Sequence, residues 1–198
     1  MLNIEDYRLI FASVGLIGVL LFASPTLGFL LHLPGGERFS ELWILGPSHM
    51  AEGYPSNVKA GESYLIYVGV GNHLGSTAYY AIYVKFRNQT EPLPNATAET
   101  PSPLPPLYEY RVVIHDGGVW EAPLTFSILK ASIVGGQCFV DALNINNVTF
   151  NVNKPASWDA NSTGYYYQLF IELWIYNIER RSLEFHNRFV SLWLNVTC

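Results

Sequence analysis

The chain has 198 residues, of which 49% are hydrophobic and only 14% are charged, and its formal net charge is −5. This length supports one domain with a hydrophobic core rather than two large domains. A negatively charged chain without a basic stretch has nothing with which to neutralise phosphates, so we expect no nucleic-acid partner.

Much of the apolar excess lies near the N-terminus. After a short segment, residues 1–8, no charged residue occurs between Arg8 and His32. We predict a transmembrane helix over residues 9–33, because a helix of that length is roughly 37 Å long and the hydrocarbon core is about 30 Å thick. The alternative is a cleaved signal peptide, but the run is long, acidic residues precede it and no clear cleavage site follows. Gly15 and Gly18 offer a small-residue face for helix packing.

Five glycosylation sequons indicate on which side of the membrane the rest of the chain lies. All have the form Asn-x-Thr, and they begin at Asn88, Asn95, Asn147, Asn161 and Asn195. Such an excess over chance predicts an exposed, glycosylated ectodomain, with N-linked glycans as a modification. We therefore expect a single-pass protein of the cell membrane, with a cytoplasmic N-terminus and an extracellular C-terminal domain.

The two cysteines, Cys138 and Cys198, fit that compartment. An even pair in a non-cytosolic domain favours a disulfide, and the alternative is two buried free thiols. A bridge would close a loop of many residues and contribute about 3–4 kcal/mol to stability. It would also hold the last strand in place, since a chain end otherwise tends to fray.

After a linker at residues 34–38, apolar and polar residues alternate with the period of two that is typical of strands. The pattern occurs at residues 39–45, 63–72, 77–86, 108–115, 119–128, 147–152, 165–176 and 188–198. Turn residues separate the runs, and no long helical period follows residue 33. We predict an all-β extracytoplasmic domain over residues 39–198, specifically an immunoglobulin-like β-sandwich of about seven to nine strands.

Residues 88–107 interrupt this pattern with six prolines and two of the sequons. Proline cannot donate to a sheet, so this insertion is not a central strand. Two alternatives stay open: an extended, polyproline-like loop coated by glycan, or a disordered surface loop.

No motif indicates catalysis. The stretch GVGNHLG at residues 69–75 has the spacing GxGxxxG rather than GxGxxG and lies in a strand pattern. None of the five histidines has a metal-binding spacing, and we identify no nucleophile–base arrangement. Glu172 lies on an apolar strand, where it could be half of an ion pair, although an outward-facing glutamate is the favoured interpretation. We expect a protein that is not an enzyme, without catalytic residues, cofactor or bound metal.

Aromatic residues make up 15% of the chain, and some fall opposite the main apolar faces of the strands: Tyr79, Tyr83, Trp174, Tyr176 and Trp193. An exposed aromatic face of this kind could bind a glycan or a partner subunit. The alternative is that both faces of these strands are buried.

One stretch, FSELWILGPSHMAEGYPSNVKAGESYLIYVGVGNH, carries a set of short motifs. They are Leu-Gly-Pro at 45–47, Tyr-Pro-Ser-Asn at 54–57, Gly-Glu at 61–62 and Asn-His at 72–73. The stretch resembles the C-terminal ectodomain of the archaeal domain-of-unknown-function 1616 family. The resemblance implies an archaeal cell-envelope protein with an immunoglobulin-like fold and no catalytic residues.

These observations favour a non-catalytic, single-pass accessory subunit of an archaeal extracytoplasmic membrane protein complex. Its partners would be integral membrane subunits and the bilayer, and an oligosaccharyltransferase complex is one candidate host. The alternatives are a cell-surface module that binds glycans or mediates adhesion, or a component of an S-layer or filament. Because only a short linker precedes residue 39, we expect residues 48–57 to lie close to the bilayer. Partner docking is therefore predicted at Pro47, His49, Met50, Tyr54 and Pro55.

Overall fold

The computed structural model describes residues 4–30 and 37–198, and the chain divides into two compact units, Met1–Arg38 and Phe39–Cys198. The described part of the first unit contains the helix α1 (Ile4–Leu30). In the parts of the chain that are described, no helix is both long enough and apolar enough to cross a membrane. The span predicted at residues 9–33 stays a prediction, and its residues 31–33, like most of the predicted linker 34–38, lie outside the described residues.

The second unit is built from ten strands. Their bounds are β1 (Phe39–Leu45), β2 (Asn57–Lys59), β3 (Tyr64–His73), β4 (Ala78–Asn88), β5 (Tyr108–Ile114), β6 (Val119–Val134), β7 (Gln137–Ile145), β8 (Val148–Asp159), β9 (Gly164–Asn177) and β10 (Ser182–Thr197).

The ten strands form one sheet that curls over on itself. Along the sheet the order is β1-β3-β6-β7-β8-β9-β10-β2, and β4 pairs with both β9 and β5. Strands β8 and β9 pair only next to their turn, at Trp158↔Tyr165 and Asp159↔Gly164. The sheet therefore folds at that turn into a first layer, β1-β3-β6-β7-β8, and a second layer, β5-β4-β9-β10-β2.

The hydrophobic core lies between the two layers. Strand β9 contributes the side chains that its alternation predicts, Tyr167, Leu169, Ile171 and Leu173, all fully buried. The Tyr167 hydroxyl crosses the core and donates to the carbonyl oxygens of Cys138 and Lys154, at 2.6 and 3.0 Å. Burial raises the pKa of this hydroxyl well above its ordinary value.

The prediction of an all-β domain is confirmed, but the structure has ten strands instead of seven to nine. The strands missed in the sequence are the three-residue β2 and the longer β7. In β7 the buried residues are Cys138 and Val140, then Leu143 and Ile145. A register shift between Val140 and Ala142 breaks the period of two at that point, because a bulge adds an unpaired residue and reverses the faces that follow.

The predicted disulfide is confirmed between Cys138 and Cys198, whose Cα atoms are 5.9 Å apart. Cys138 lies on β7 in the first layer, and Cys198 follows β10 in the second. The bond therefore joins the two layers as well as holding the C-terminus.

Candidate functional site

Strand β1 has an open edge. It pairs antiparallel with β3 in one continuous register, from Phe39↔His73 to Leu45↔Tyr67. The strand order begins with β1, so its other edge pairs with none of the strands in the described parts of the chain. A strand edge of this kind presents backbone N–H and C=O groups to which another extended chain can add.

A cleft of about 620 Å³ lies along this edge, and we call it the β1 cleft. Three segments line it: five consecutive residues of β1, one residue of the Pro-rich loop (residues 88–107), and three residues of β10. The lining residues are Phe39, Ser40, Glu41, Leu42, Trp43, Ala96, Asn187, Arg188 and Phe189. The cleft therefore runs beside the open edge for most of the length of β1.

A bulge in β10 forms the opposite wall. Phe185 pairs with Trp174, but the next pair is Arg188 with Leu173, so His186 and Asn187 fall between the paired positions. Asn187 has a φ of 53°, a left-handed conformation that asparagine tolerates better than most residues. Its side-chain oxygen Oδ1 is buried and accepts no hydrogen bond in the described structure. Such an atom is unusual in a folded protein, and here it belongs to a residue that lines the cleft.

The other bulged residue, His186, ties the two layers together. Its Nε2 lies 2.9 Å from the Ser40 hydroxyl, which is 2.7 Å from the Tyr80 hydroxyl. The Tyr80 hydroxyl in turn donates to Asn72 Oδ1 at 3.1 Å. Burial, and to a lesser extent the charge of Arg188, lowers the pKa of His186 below its ordinary value. The imidazole is therefore neutral at pH 7.

The geometry of this serine–histidine contact indicates a structural role. Ser40 is only 1% exposed, and its hydroxyl is shared with Tyr80. A nucleophilic serine needs an accessible hydroxyl and a base that a third group orients. Within the described residues, no carboxylate pairs with His186. The contact fixes β1 against β10 and so sets the width of the β1 cleft.

The sequence motifs did not reveal this site. Residues 188–198 were predicted as a strand, but residues 182–187 were not, because the bulge interrupts their alternation. The only signal in the sequence was Asn187 itself, because an asparagine tolerates the left-handed conformation that such a bulge requires. Ser40, His186 and Asn187 were therefore missed.

The predicted docking corner lies at the other end of β1 from residue 38. The strand has seven residues, and at about 3.3 Å per residue they separate its ends by roughly 20 Å. The corner is thus separated from residue 38 by the length of β1, and the expectation that residues 48–57 lie close to the bilayer stays a prediction.

The corner itself is a compact loop. The Gly46 N–H donates to the Met50 carbonyl at 2.8 Å, and the His49 N–H donates to the Gly46 carbonyl at 3.0 Å. A Cβ on Gly46 would collide with the Glu52 carbonyl oxygen, which explains the glycine of the Leu-Gly-Pro motif. The Tyr54 hydroxyl donates back to the Ile44 carbonyl at 2.9 Å.

Of the residues predicted to dock a partner, Pro47, His49 and Met50 are exposed, whereas Tyr54 and Pro55 are half-buried. His49 stacks on Tyr67 with ring centroids 3.6 Å apart. Its Nδ1 also lies 2.7 Å from a Glu121 carboxylate oxygen. The motif thus builds a defined turn, and partner docking at this corner stays a prediction.

The outer aromatic residues pack in pairs or on another side chain. Tyr83 and Trp174 contact each other with centroids 5.3 Å apart and are half-buried. Tyr79 is half-buried next to the exposed Tyr176, at 6.1 Å. Trp193 is exposed and stacks with Arg87 instead.

Glu172 is not an outward-facing glutamate in solvent. It lies on the outer face of β9, but it is fully buried and pairs with Lys85 at 2.8 Å. The Pro-rich loop covers this pair: Ser102 N–H donates to Glu172 at 2.8 Å, and Lys85 donates to the Ser102 carbonyl at 2.9 Å. Trp174 Nε1 adds a bond to Glu172 at 2.9 Å. Of the two alternatives for the loop, the structure supports an ordered one.

The predicted glycosylation sites differ in accessibility. Asn95, Asn147 and Asn161 are exposed, and Asn195 is half-buried. Asn88 is buried, and its Nδ2 donates to the Pro155 carbonyl at 2.9 Å. On α1, a Cβ on Gly15 or Gly18 would meet no atom within 4 Å, so packing of another helix there stays a prediction.

Solved structures with a similar chain path are distant in sequence. The CARDB domain of a Pyrococcus furiosus protein, in complex with di-metal ions, has 10% identity and a TM-score of 0.40, over 85% of this chain and 96% of that one. A mutant β-glucosidase from Listeria innocua has 12% identity and a TM-score of 0.43, over 81% of this chain but only 16% of the enzyme. No curated protein matches the sequence.

A family profile gives a closer relationship. The profile described as "Domain of unknown function (DUF1616)" matches residues 33–133, about half of the chain. The matched region contains β1 to β5 and most of β6, and therefore the open edge and the compact corner that follows it. The chain belongs to the DUF1616 family.

Proposed function

We propose that this protein is a non-catalytic accessory subunit of a membrane protein complex, and that its immunoglobulin-like domain binds a partner by accepting an extended segment of it along β1. One observation carries the proposal: the open edge of β1 lies beside a cleft of about 620 Å³ that is lined by residues of β1, the Pro-rich loop and β10.

The chemistry of the cleft suits a polypeptide. Main-chain hydrogen bonds to an edge strand supply affinity, and neighbouring pockets that take alternate side chains supply specificity. Asn187 lines the cleft as well, and its buried side-chain oxygen has an unused capacity to accept a hydrogen bond within the described residues. The walls provide apolar surface from Phe39, Leu42 and Phe189 beside the charges of Glu41 and Arg188.

The membrane part of the proposal rests on the sequence. The N-terminal segment lacks charged residues between Arg8 and His32, and the sequons favour an extracytoplasmic domain. We propose that residues 9–33 anchor the protein and that integral membrane subunits supply the bound segment. An archaeal oligosaccharyltransferase complex is the first host to test. Extraction of native membranes with alkaline carbonate should leave the protein in the pellet, and its release would contradict the anchor.

Affinity purification from the native host in a mild detergent tests the partner. We expect multi-span membrane proteins in stoichiometric amounts. The variant Ala96→Phe should fill the mouth of the cleft and lose most of them, whereas Ala98→Phe, at an exposed position of the same loop outside the cleft lining, should retain them. A monodisperse monomer without partners would contradict the proposal.

A further inference from the structure

A second, smaller cleft lies on the outer face of the second layer, away from the residues of the β1 cleft. Its volume is about 240 Å³, and it is lined by Gln89, Asp159, Ser162, Tyr166 and Trp193. We call it the Trp193 cleft. Its volume is smaller than the roughly 300–1,000 Å³ typical of pockets for drug-sized ligands, so the cleft suits one small ring.

The indole of Trp193 is held in place although it is 48% exposed. The guanidinium carbon of Arg87 lies 5.5 Å from the centroid of the ring. Arg87 is itself buried and donates to Gln168 Oε1 at 2.7 Å and to the Glu91 carbonyl. A fixed, accessible indole offers a flat apolar surface to a ligand without a large loss of side-chain entropy.

The polar groups around the indole are mainly hydrogen-bond acceptors. Gln89 uses its Nε2 to donate to the Ser157 carbonyl at 3.3 Å, and Tyr166 uses its hydroxyl proton to donate to the Ser162 carbonyl at 2.7 Å. Asp159 accepts the N–H groups of Asn161 and Ser162 at 2.9 and 3.3 Å, both on Oδ1. The hydrogen bonds from those N–H groups lower the pKa of this carboxyl, so it is ionised.

A ligand that fits must therefore bring donors to the rim and an apolar face to the indole. A pyranose ring has both, since its hydroxyl groups point outward around a face of C–H groups. An ammonium ion would also meet the carboxylate, but the charge of Arg87 already lies against the indole and opposes a second cation. An anionic sugar would be repelled by Asp159.

We propose that the Trp193 cleft binds a single, neutral pyranose ring. The site is independent of partner binding along β1, because the two clefts share none of their lining residues. Each proposal can therefore fail without the other.

Saturation-transfer NMR on the full, unglycosylated chain tests this directly, in a detergent without a sugar headgroup. The probes are methyl glucoside, methyl mannoside, methyl galactoside and N-acetylglucosamine at millimolar concentration. We expect transfer to the ring C–H protons of at least one of them. Trp193→Ala should weaken binding about tenfold or more, which corresponds to the loss of about 1.4 kcal/mol.

The matched control is Trp158→Ala, because Trp158 is 54% exposed but lies outside the cleft. It should bind the sugar as the wild type does. Gln89→Ala keeps the indole and removes one acceptor, so it should weaken binding several-fold with an unchanged unfolding midpoint. Three results would overturn the proposal: no transfer to any pyranoside, equal binding by the Trp193 variant, or preference for tetramethylammonium over all four sugars.

Discussion

The ammonium group of Lys85 lies 2.8 Å from a Glu172 carboxylate oxygen, and the two side chains are 3% and 0% exposed. The pair lies between the outer face of the second layer and the Pro-rich loop. Ser102 contacts both partners, through its N–H and its carbonyl oxygen. The loop that brings Ala96 to the β1 cleft is therefore attached to the sheet by a buried ion pair.

Breaking this pair from one side should destabilise the domain. Glu172→Gln leaves the Lys85 charge buried without compensation, and we expect the free energy of unfolding to fall by about 3–5 kcal/mol. The double variant Lys85→Met/Glu172→Met should show a smaller decrease in the free energy of unfolding than the single variant, because no uncompensated charge remains. Urea unfolding of the full chain measures both.

The control for that series is Glu109→Gln. Glu109 pairs with Arg111 at 2.9 Å on an exposed surface, where an ion pair contributes about 0–1 kcal/mol. Equal decreases in the free energy of unfolding for the Glu109 and Glu172 variants would contradict a stabilising role of the buried Lys85–Glu172 pair.

His186 should make stability depend on pH. Its folded-state pKa lies below the ordinary value of 6.5, so between the two values the unfolded chain binds a proton that the folded chain does not. Stability should therefore be lost as the pH falls below about 6.5 towards the folded pKa, and this contribution should be constant above that pH. His186→Gln, which keeps a donor for Ser40 but cannot titrate, should show a smaller decrease.

Urea midpoints across this pH range give the measurement, and His115→Gln is the control because His115 lies in an exposed turn. An unchanged pH profile in the His186 variant would show that another group is responsible.

Glycan occupancy should follow accessibility. Asn147 and Asn161 lie exposed in turns, whereas Asn88 is 9% exposed and its amide is bonded to Pro155. A glycan on Asn88 would have to break that bond and displace the loop, so we expect occupancy to be highest at Asn147 and Asn161 and lowest at Asn88. Glycopeptide mass spectrometry of the native protein measures this, and full occupancy at Asn88 would contradict the packing of the loop.

The alternation of apolar and polar residues predicted the strands correctly where the strands are regular. The inner face of β9, the first strand and the disulfide could all be predicted, because a period of two and the position of a terminal cysteine depend on local sequence. Bulges prevented the same reasoning from succeeding in β7, where an extra residue reverses the faces, and at His186–Asn187, where two residues fall between the paired positions. The pairing of Lys85 with Glu172 was beyond prediction, because it depends on a loop that returns over the sheet to bring Ser102 onto both.

Hydrogen–deuterium exchange on the co-purified complex tests the central proposal most directly. In the free protein the outward amides of β1 pair with none of the described strands and should exchange quickly, in contrast to the buried strand β9. If a partner adds a strand, exchange should slow within residues 39–45 and 187–189 and change little at the corner 47–55. Unchanged exchange across residues 39–45 in a complex with bound partner would contradict recognition along this edge.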